Sequence, residues 1–271
     1  MRGTTLLGIL LGVLTIFGAF VLEGGTLGML ILLPALLIVF GGTFAATIAG
    51  STWEQVKRIP RLIALALSPP QYDARRILEQ IVEFAAIARR EGVLGLERRL
   101  PEVGHPYLRK LLLHSIDGME PETLRQASEA ELEALTARHQ ANINLFVRMG
   151  GYSPTMGIIG TVMGLIATLA SAGEDPTVLI RHIATAFIAT MWGIFMANIV
   201  WLPLADKLRT LHQEEVQLWR MMTEGVLAIQ QGETPSVVRL RLMASFPLQQ
   251  QIRLLDQAPL RMESAGSASA R

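Results

Sequence analysis

The chain reads as all-α: a polytopic membrane protein with four transmembrane helices, arranged two-plus-two, and a helical cytoplasmic domain. Three observations carry that reading. Four apolar runs each approach the roughly 20 residues a helix needs to cross the hydrocarbon core. No acid or base stands in the middle of any of them. The stretch between the second and third runs is charged and shows helical, not strand-type, periodicity.

The first span is expected over Thr4–Leu22 and the second over Leu27–Ile48. The link Glu23-Gly24-Gly25-Thr26 is a tight turn, so the two form a hairpin over residues 1–50. Arg2 precedes the first run as in a signal peptide, but the run is too long for one and a second span follows at once. Pro34 lies inside the second span and should kink it.

Residues 51–150 form the cytoplasmic block. Asp73 is placed to cap a helix carrying Ile77, Ile81, Phe84 and Ala88, with Gly92 as its stop. Pro106 opens a short helix through Leu108, Leu111 and Leu112. Pro121 starts a long one through Leu124, Leu132, Leu135, Ile143 and Phe146. The third span is expected over Ser153–Ala172 and the fourth over Ile183–Ala205, both within a segment 151–206. Leu208, Leu211, Glu215, Leu218, Met222 and Ile229 then continue a helical period through an aqueous helix, within residues 207–262. The tail 263–271 is small and polar, a composition that favours disorder.

Charge orients the spans. Lys57, Arg58 and Arg61 follow the second, Arg148 precedes the third, and Lys207 and Arg209 follow the fourth. Basic residues flanking spans stay in the cytoplasm. With Arg2, they place both termini there. The net charge of +1 offers no field for nucleic acid. The absence of cysteine removes disulfides and thiolate chemistry. His105, His114, His139, His182 and His212 form no ligand pair at helical spacing, which argues against a metal site.

Small residues recur at four-residue spacing: Gly8 and Gly12, Gly160 and Gly164, then Ala189, Gly193 and Ala197. Membrane helices approach closely through such positions, within one chain or between chains. Thr155, Thr161, Thr168, Thr185 and Thr190 add hydroxyls to the third and fourth spans. Together they could line a weakly polar path. That path lacks a carboxylate, so an ion crossing here needs an acid from another chain. Pro154 follows Ser153 as a first helical residue behind a serine cap. Pro203 frees the carbonyl of Ile199, giving a kink or a hinge. The run Ala88-Arg89-Arg90-Glu91-Gly92-Val93-Leu94-Gly95-Leu96-Glu97-Arg98-Arg99 is a solvated face or a charged docking surface.

Three of these stretches together resemble the MotA/PomA family, the larger stator subunits of the flagellar motor within the MotA/TolQ/ExbB superfamily. They are Arg90-Glu91-Gly92-Val93-Leu94-Gly95-Leu96-Glu97 with Arg89, Pro154-Thr155-Met156-Gly157-Ile158-Ile159-Gly160-Thr161-Val162-Met163-Gly164-Leu165, and Thr190-Met191-Trp192-Gly193 leading to Pro203. The resemblance implies an ion-conducting homopentamer around two copies of a single-span MotB/PomB-type partner that carries the essential aspartate. It implies no enzyme activity and no cofactor beyond the transported ion. It assigns Arg89 and Glu97, with Arg90 beside them, to contact with the rotor protein FliG. It assigns Pro154 and Pro203 to coupling, and Thr190 and Thr161 to the ion path. Protons are the commoner coupling ion in the family, and sodium stays open. An ExbB/TolQ-like energiser is the near rival, but those proteins place one span, not two, before the cytoplasmic block. Two more distant rivals are a related ring serving another envelope machine and a membrane enzyme. For an enzyme, the sequence offers no nucleophile–base set, phosphate loop or metal motif.

Overall fold

The computed structural model describes residues 4–70, 72–171, 173 and 175–256 of the 271-residue chain. Arg2 and the tail expected to be disordered lie outside them. Among the described residues every regular element is helical. The helices are α1 (Thr4–Leu22), α2 (Leu33–Ala49), α3 (Trp53–Leu67), α4 (Ala74–Glu91), α5 (Pro106–Ile116), α6 (Pro121–Ala170), α7 (Pro176–Gln230), α8 (Pro235–Met243) and α9 (Leu248–Asp256). A 3₁₀ stretch, Val93–Glu102, follows α4. The described residues fall into two compact units. One comprises Met1–Gln71 and Glu133–Glu215, the other Tyr72–Leu132 and Val216–Arg271.

The first unit holds the apolar helices. α1, α6 and α7 are each long and apolar enough to cross a membrane. The second span differs from expectation. Leu27–Leu30 is a 3₁₀ turn, the chain then extends, and helix resumes only at Leu33. Pro34 therefore does not kink a helix; it sits in the first turn of α2, where its missing N–H has no partner to lose. Trp192 Nε1 donates to the Leu30 carbonyl at 2.9 Å, supplying the partner that the broken helix cannot. A widened π turn at Leu37–Gly41 interrupts α2.

The third and fourth spans are parts of longer helices. α6 runs unbroken for 50 residues, so Pro154 is an interior residue and not the first of a helix. α7 starts before Ile183, with Asp175 capping the Thr177 amide at 2.8 Å, and continues through Pro203 to Gln230. A π turn at Met196–Trp201 lies immediately before Pro203, where Leu202 donates to Ala197. Widening the turn by one residue gives a proline ring room beside the preceding carbonyls.

α3 was not legible from the apolar pattern. Its start is a capping box, Thr52 with Gln55, and it buries Ile59, Leu62 and Ala66 against Ile143, Phe146, Met149 and Leu204. Arg148 donates to the Gly50 carbonyl and to Ser51 Oγ (3.0 Å), closing the end of α2.

The second unit has an aqueous-type core. Asp73 Oδ1 accepts from the Arg75 and Arg76 amides (3.0 and 3.1 Å), and Gly92 ends α4 with φ of 77°. Leu78, Ile81 and Phe84 pack with Leu108, Leu112, Met222 and Val226. Burying each such side chain contributes about 1.5–3 kcal/mol. Tyr107 stacks on Trp219 at 3.8 Å and hydrogen-bonds Thr223 at 2.9 Å. α8 begins at a Thr234 cap.

Candidate functional site: a hydroxyl pair in the helix seam, and a charged face

α6 and α7 run antiparallel through the first unit, and glycines set their separation. A Cβ at Gly193 would stand 2.6 Å from the Ser153 carbonyl oxygen, and one at Gly157 would stand 2.9 Å from that of Ala189. At Gly160 and Gly164 the obstacles are the Cβ atoms of Ala189 and Ala186, at 2.5 and 2.8 Å. Elsewhere the small residues do less: Gly12 faces Ile199, and Gly8 meets nothing within 4 Å.

That closeness brings Thr161 and Thr190 together. Their hydroxyls are hydrogen-bonded to each other. Thr161 Oγ1 also lies 3.1 Å from the Gly157 carbonyl and 3.2 Å from that of Ala186, which Thr190 shares at 3.4 and 3.5 Å. The result is four oxygens and no charge. Two hydroxyls have only two protons to donate, so carbonyl acceptor capacity remains. Such a cluster suits a hydrated proton or a hard cation, but it cannot neutralise either.

The other threonines do not join it. Thr155 is exposed and bonds the Tyr152 carbonyl at 2.7 Å. Thr168 and Thr185 each bond the carbonyl four residues back, at 2.8 and 2.9 Å. Pro154 and Pro203 are half-buried. Pro154 lies in the seam, with its Cα 3.2 Å from where a Gly193 Cβ would stand.

The second unit carries the charged face. Arg89 and Arg90 occupy the last turn of α4, and Glu97 and Arg98 the 3₁₀ stretch; all are exposed. Among the described residues none of them forms an ion pair. Arg99 is different: it holds Glu83 at 2.7 Å and Glu102 at 2.9 Å. Leu96, 1% exposed, anchors the stretch, while Leu94 is 69% exposed among the free charges. Unpaired exposed charges can meet a partner without first breaking bonds in their own chain.

One cluster lies outside both expectations. His139 and His212, 73 positions apart, meet Nδ1 to Nδ1 at 3.2 Å. The signal for it was the seam itself. About five turns along α6 from Gly157, and the same along α7 from Gly193, arrive at this pair. Among the described residues no group of three or more His, Cys, Asp or Glu side chains could hold a metal.

Known proteins decide the family. Residues 100–221 match the MotA/TolQ/ExbB proton channel family, and residues 6–92 match the motility protein A N-terminal family. Motility protein A of Bacillus subtilis is 34% identical, over 95% of this chain and 95% of that protein. The chain belongs to the MotA family. Chemotaxis protein PomA of Vibrio alginolyticus is 32% identical over 86% of this chain and 91% of its own length. The fold matches the flagellar MotAB stator complex from Bacillus subtilis with a TM-score of 0.87 and 33% identity, covering 93% of this chain and 98% of that one. It also matches C. jejuni MotAB with a TM-score of 0.86 and 28% identity, covering 92% and 97%. As a MotA-family member with apolar helices of spanning length, it is a multi-pass membrane protein.

Proposed function

We propose that this MotA-family chain is an ion-conducting stator subunit of the flagellar motor, coupling ion flow through the inner membrane to torque on the rotor. The observation that carries the reading is the uncharged oxygen cluster of Thr161 and Thr190 in a carboxylate-free helix seam. The chain supplies polar passage and leaves neutralisation to an acid on a MotB-type, single-span partner. Two copies of that partner inside a homopentamer are the arrangement the family resemblance implies.

In this reading both termini and the charged second unit face the cytoplasm. Arg89, Arg90 and Glu97 meet a complementary face of the rotor protein, FliG by resemblance. Thr161 and Thr190 line the ion path. Pro154 and Pro203 bracket it and transmit its state along α6 and α7. One charge moving through 100 mV releases about 2.3 kcal/mol, enough to bias two arrangements of packed helices. Protons are the coupling ion that the family favours, and the chain's chemistry needs no other cofactor.

The test is complementation. This chain, co-expressed with its MotB-type partner in a stator-null swimmer, should restore rotation, and speed should not change when sodium is withdrawn. Sodium-dependent speed would reassign the ion. Failure to rotate with the partner present in the membrane would overturn the function.

A further inference from the structure

His139 on α6 and His212 on α7 face each other within the first unit. Their rings are edge-on, with centroids 5.2 Å apart and an interplanar angle of 80°. Glu215, one turn further along α7, places Oε2 3.8 Å from His139 Nδ1. All three side chains are half-buried. Arg138, on the same helix as His139, adds a positive charge that acts on both His139 and Glu215.

The contact limits how many protons the pair can hold. Each neutral imidazole has one bare nitrogen, so one Nδ1–H can donate to the other Nδ1. A first extra proton enters at the donor ring's distant Nε2. One Nδ1–H still lies between the rings, the bond becomes charge-assisted, and Glu215 balances the cation. A second extra proton must go on the accepting Nδ1. Two N–H groups then point at each other, and two cations face across 3.2 Å.

We propose that His139, His212 and Glu215 form a proton-binding site that clasps α6 to α7 while it holds at most one extra proton, and opens when it takes a second. The ligand is a proton from the compartment that bathes this part of the helices, which is the cytoplasm in the orientation proposed above. The helices it clasps are those that carry the Thr161–Thr190 pair. Cytoplasmic acidification therefore loosens the seam from the end remote from the hydroxyls.

The direction with pH follows from burial. Desolvation holds both imidazoles below the ordinary 6.5, helped by Arg138 at His139 and by His139 at His212. The unfolded chain binds more protons than the folded one below that value. The clasp thus contributes fully above pH 6.5 and is lost as pH falls through the lowered values. Burial pushes the Glu215 carboxyl above 4.5. Its contribution has the opposite sign, present at acid pH and lost as pH rises through the raised value.

The experiment is hydrogen exchange on the full complex with its partner, in lipid nanodiscs, from pH 8 to 5. Protection of residues 136–143 and 208–215, corrected for intrinsic rate, should fall several-fold as pH drops below 6.5. The double variant His139→Gln, His212→Gln keeps an amide donor and acceptor at the contact and should show no step. The single variant His139→Gln, which cannot form the facing cations, should also lose the step and serves if the double variant does not fold. A wild-type profile without a step, or the same step in the variants, overturns the proposal. The readout does not require rotation, so it stands or falls apart from the stator reading.

Discussion

Replacing Gly193 by alanine tests whether main-chain contact sets the α6–α7 seam. The new Cβ would stand 2.6 Å from the Ser153 carbonyl oxygen and 3.2 Å from the Cα atoms of Gly157 and Pro154. Carbon and carbonyl oxygen settle at about 3.3–3.6 Å, so the helices must part by about 0.7 Å. All three obstacles are backbone, and no rotamer change absorbs the shift. Overpacking costs about 1–3 kcal/mol, and a rigid obstacle puts this site at about 2–3. At this chain length that lowers the thermal midpoint by about 4–12 °C. The assay compares the purified full complex with a Gly151→Ala control, where a Cβ meets nothing within 4 Å. Torque should fall with the midpoint, because the same displacement stretches the Thr161–Thr190 bond. Gly164→Ala meets the Cβ of Ala186 at 2.8 Å and a carbonyl at 3.0 Å. Adding Ala186→Gly should therefore recover part of its loss, whereas no side-chain trimming can rescue Gly193→Ala. A Gly193→Ala complex as stable and as fast as the control refutes the reasoning.

Thr161→Val keeps the shape and removes the hydroxyl. Proton influx and swimming speed should drop several-fold while stability changes by about 1 kcal/mol, and Thr161→Ser should retain most of both; equal flux in the valine variant would remove Thr161 from the path. Reversing Arg89 or Glu97 should lower torque in bead assays without lowering membrane levels, whereas Arg99→Ala should lower thermal stability first, since Arg99 is tied to Glu83 and Glu102. Arg239 holds the Glu79 carboxyl below 4.5 through bonds of 2.7 and 2.5 Å. That stabilisation is present above pH 4.5 and is lost as pH falls through the lowered value, so Arg239→Gln should flatten the acid limb of the midpoint between pH 6 and 3.

Much of the fold could be read before any coordinates, because its signals are local. Asp73, Gly92, Pro106 and Pro121 mark helix ends through their own backbone chemistry, and α1 is a bare apolar run. Pro34 and Pro154 misled because a proline's meaning depends on where the helix starts, and that is settled by tertiary contacts. Trp192 bonding the Leu30 carbonyl makes the chain break before Pro34 tolerable. The helix leading into Ser153 already packs through Ile143, Phe146 and Met149, so α6 has no reason to stop there. In the candidate site, the glycines and Thr190 were visible by type and spacing. The pairing of Thr161 with Thr190 was not, because register between distant helices leaves no mark at short range, and that of His139 with His212 follows only once the glycine seam has fixed that register. Nor could the sequence separate Arg99, already held by two acids, from its unattached neighbours.

In the proposed four-span arrangement, where α2 also crosses the bilayer, its short length has a consequence for the lipid around it. Seventeen residues, Leu33–Ala49, rise about 26 Å, against a hydrocarbon slab of about 30 Å. Acyl chains touching that side must compress or tilt to keep the helix ends wet, an elastic cost of a fraction of a kcal/mol for each ångström of mismatch. Bilayers of shorter or more unsaturated fatty acids relieve it, so membrane composition becomes a determinant of where this subunit resides most comfortably.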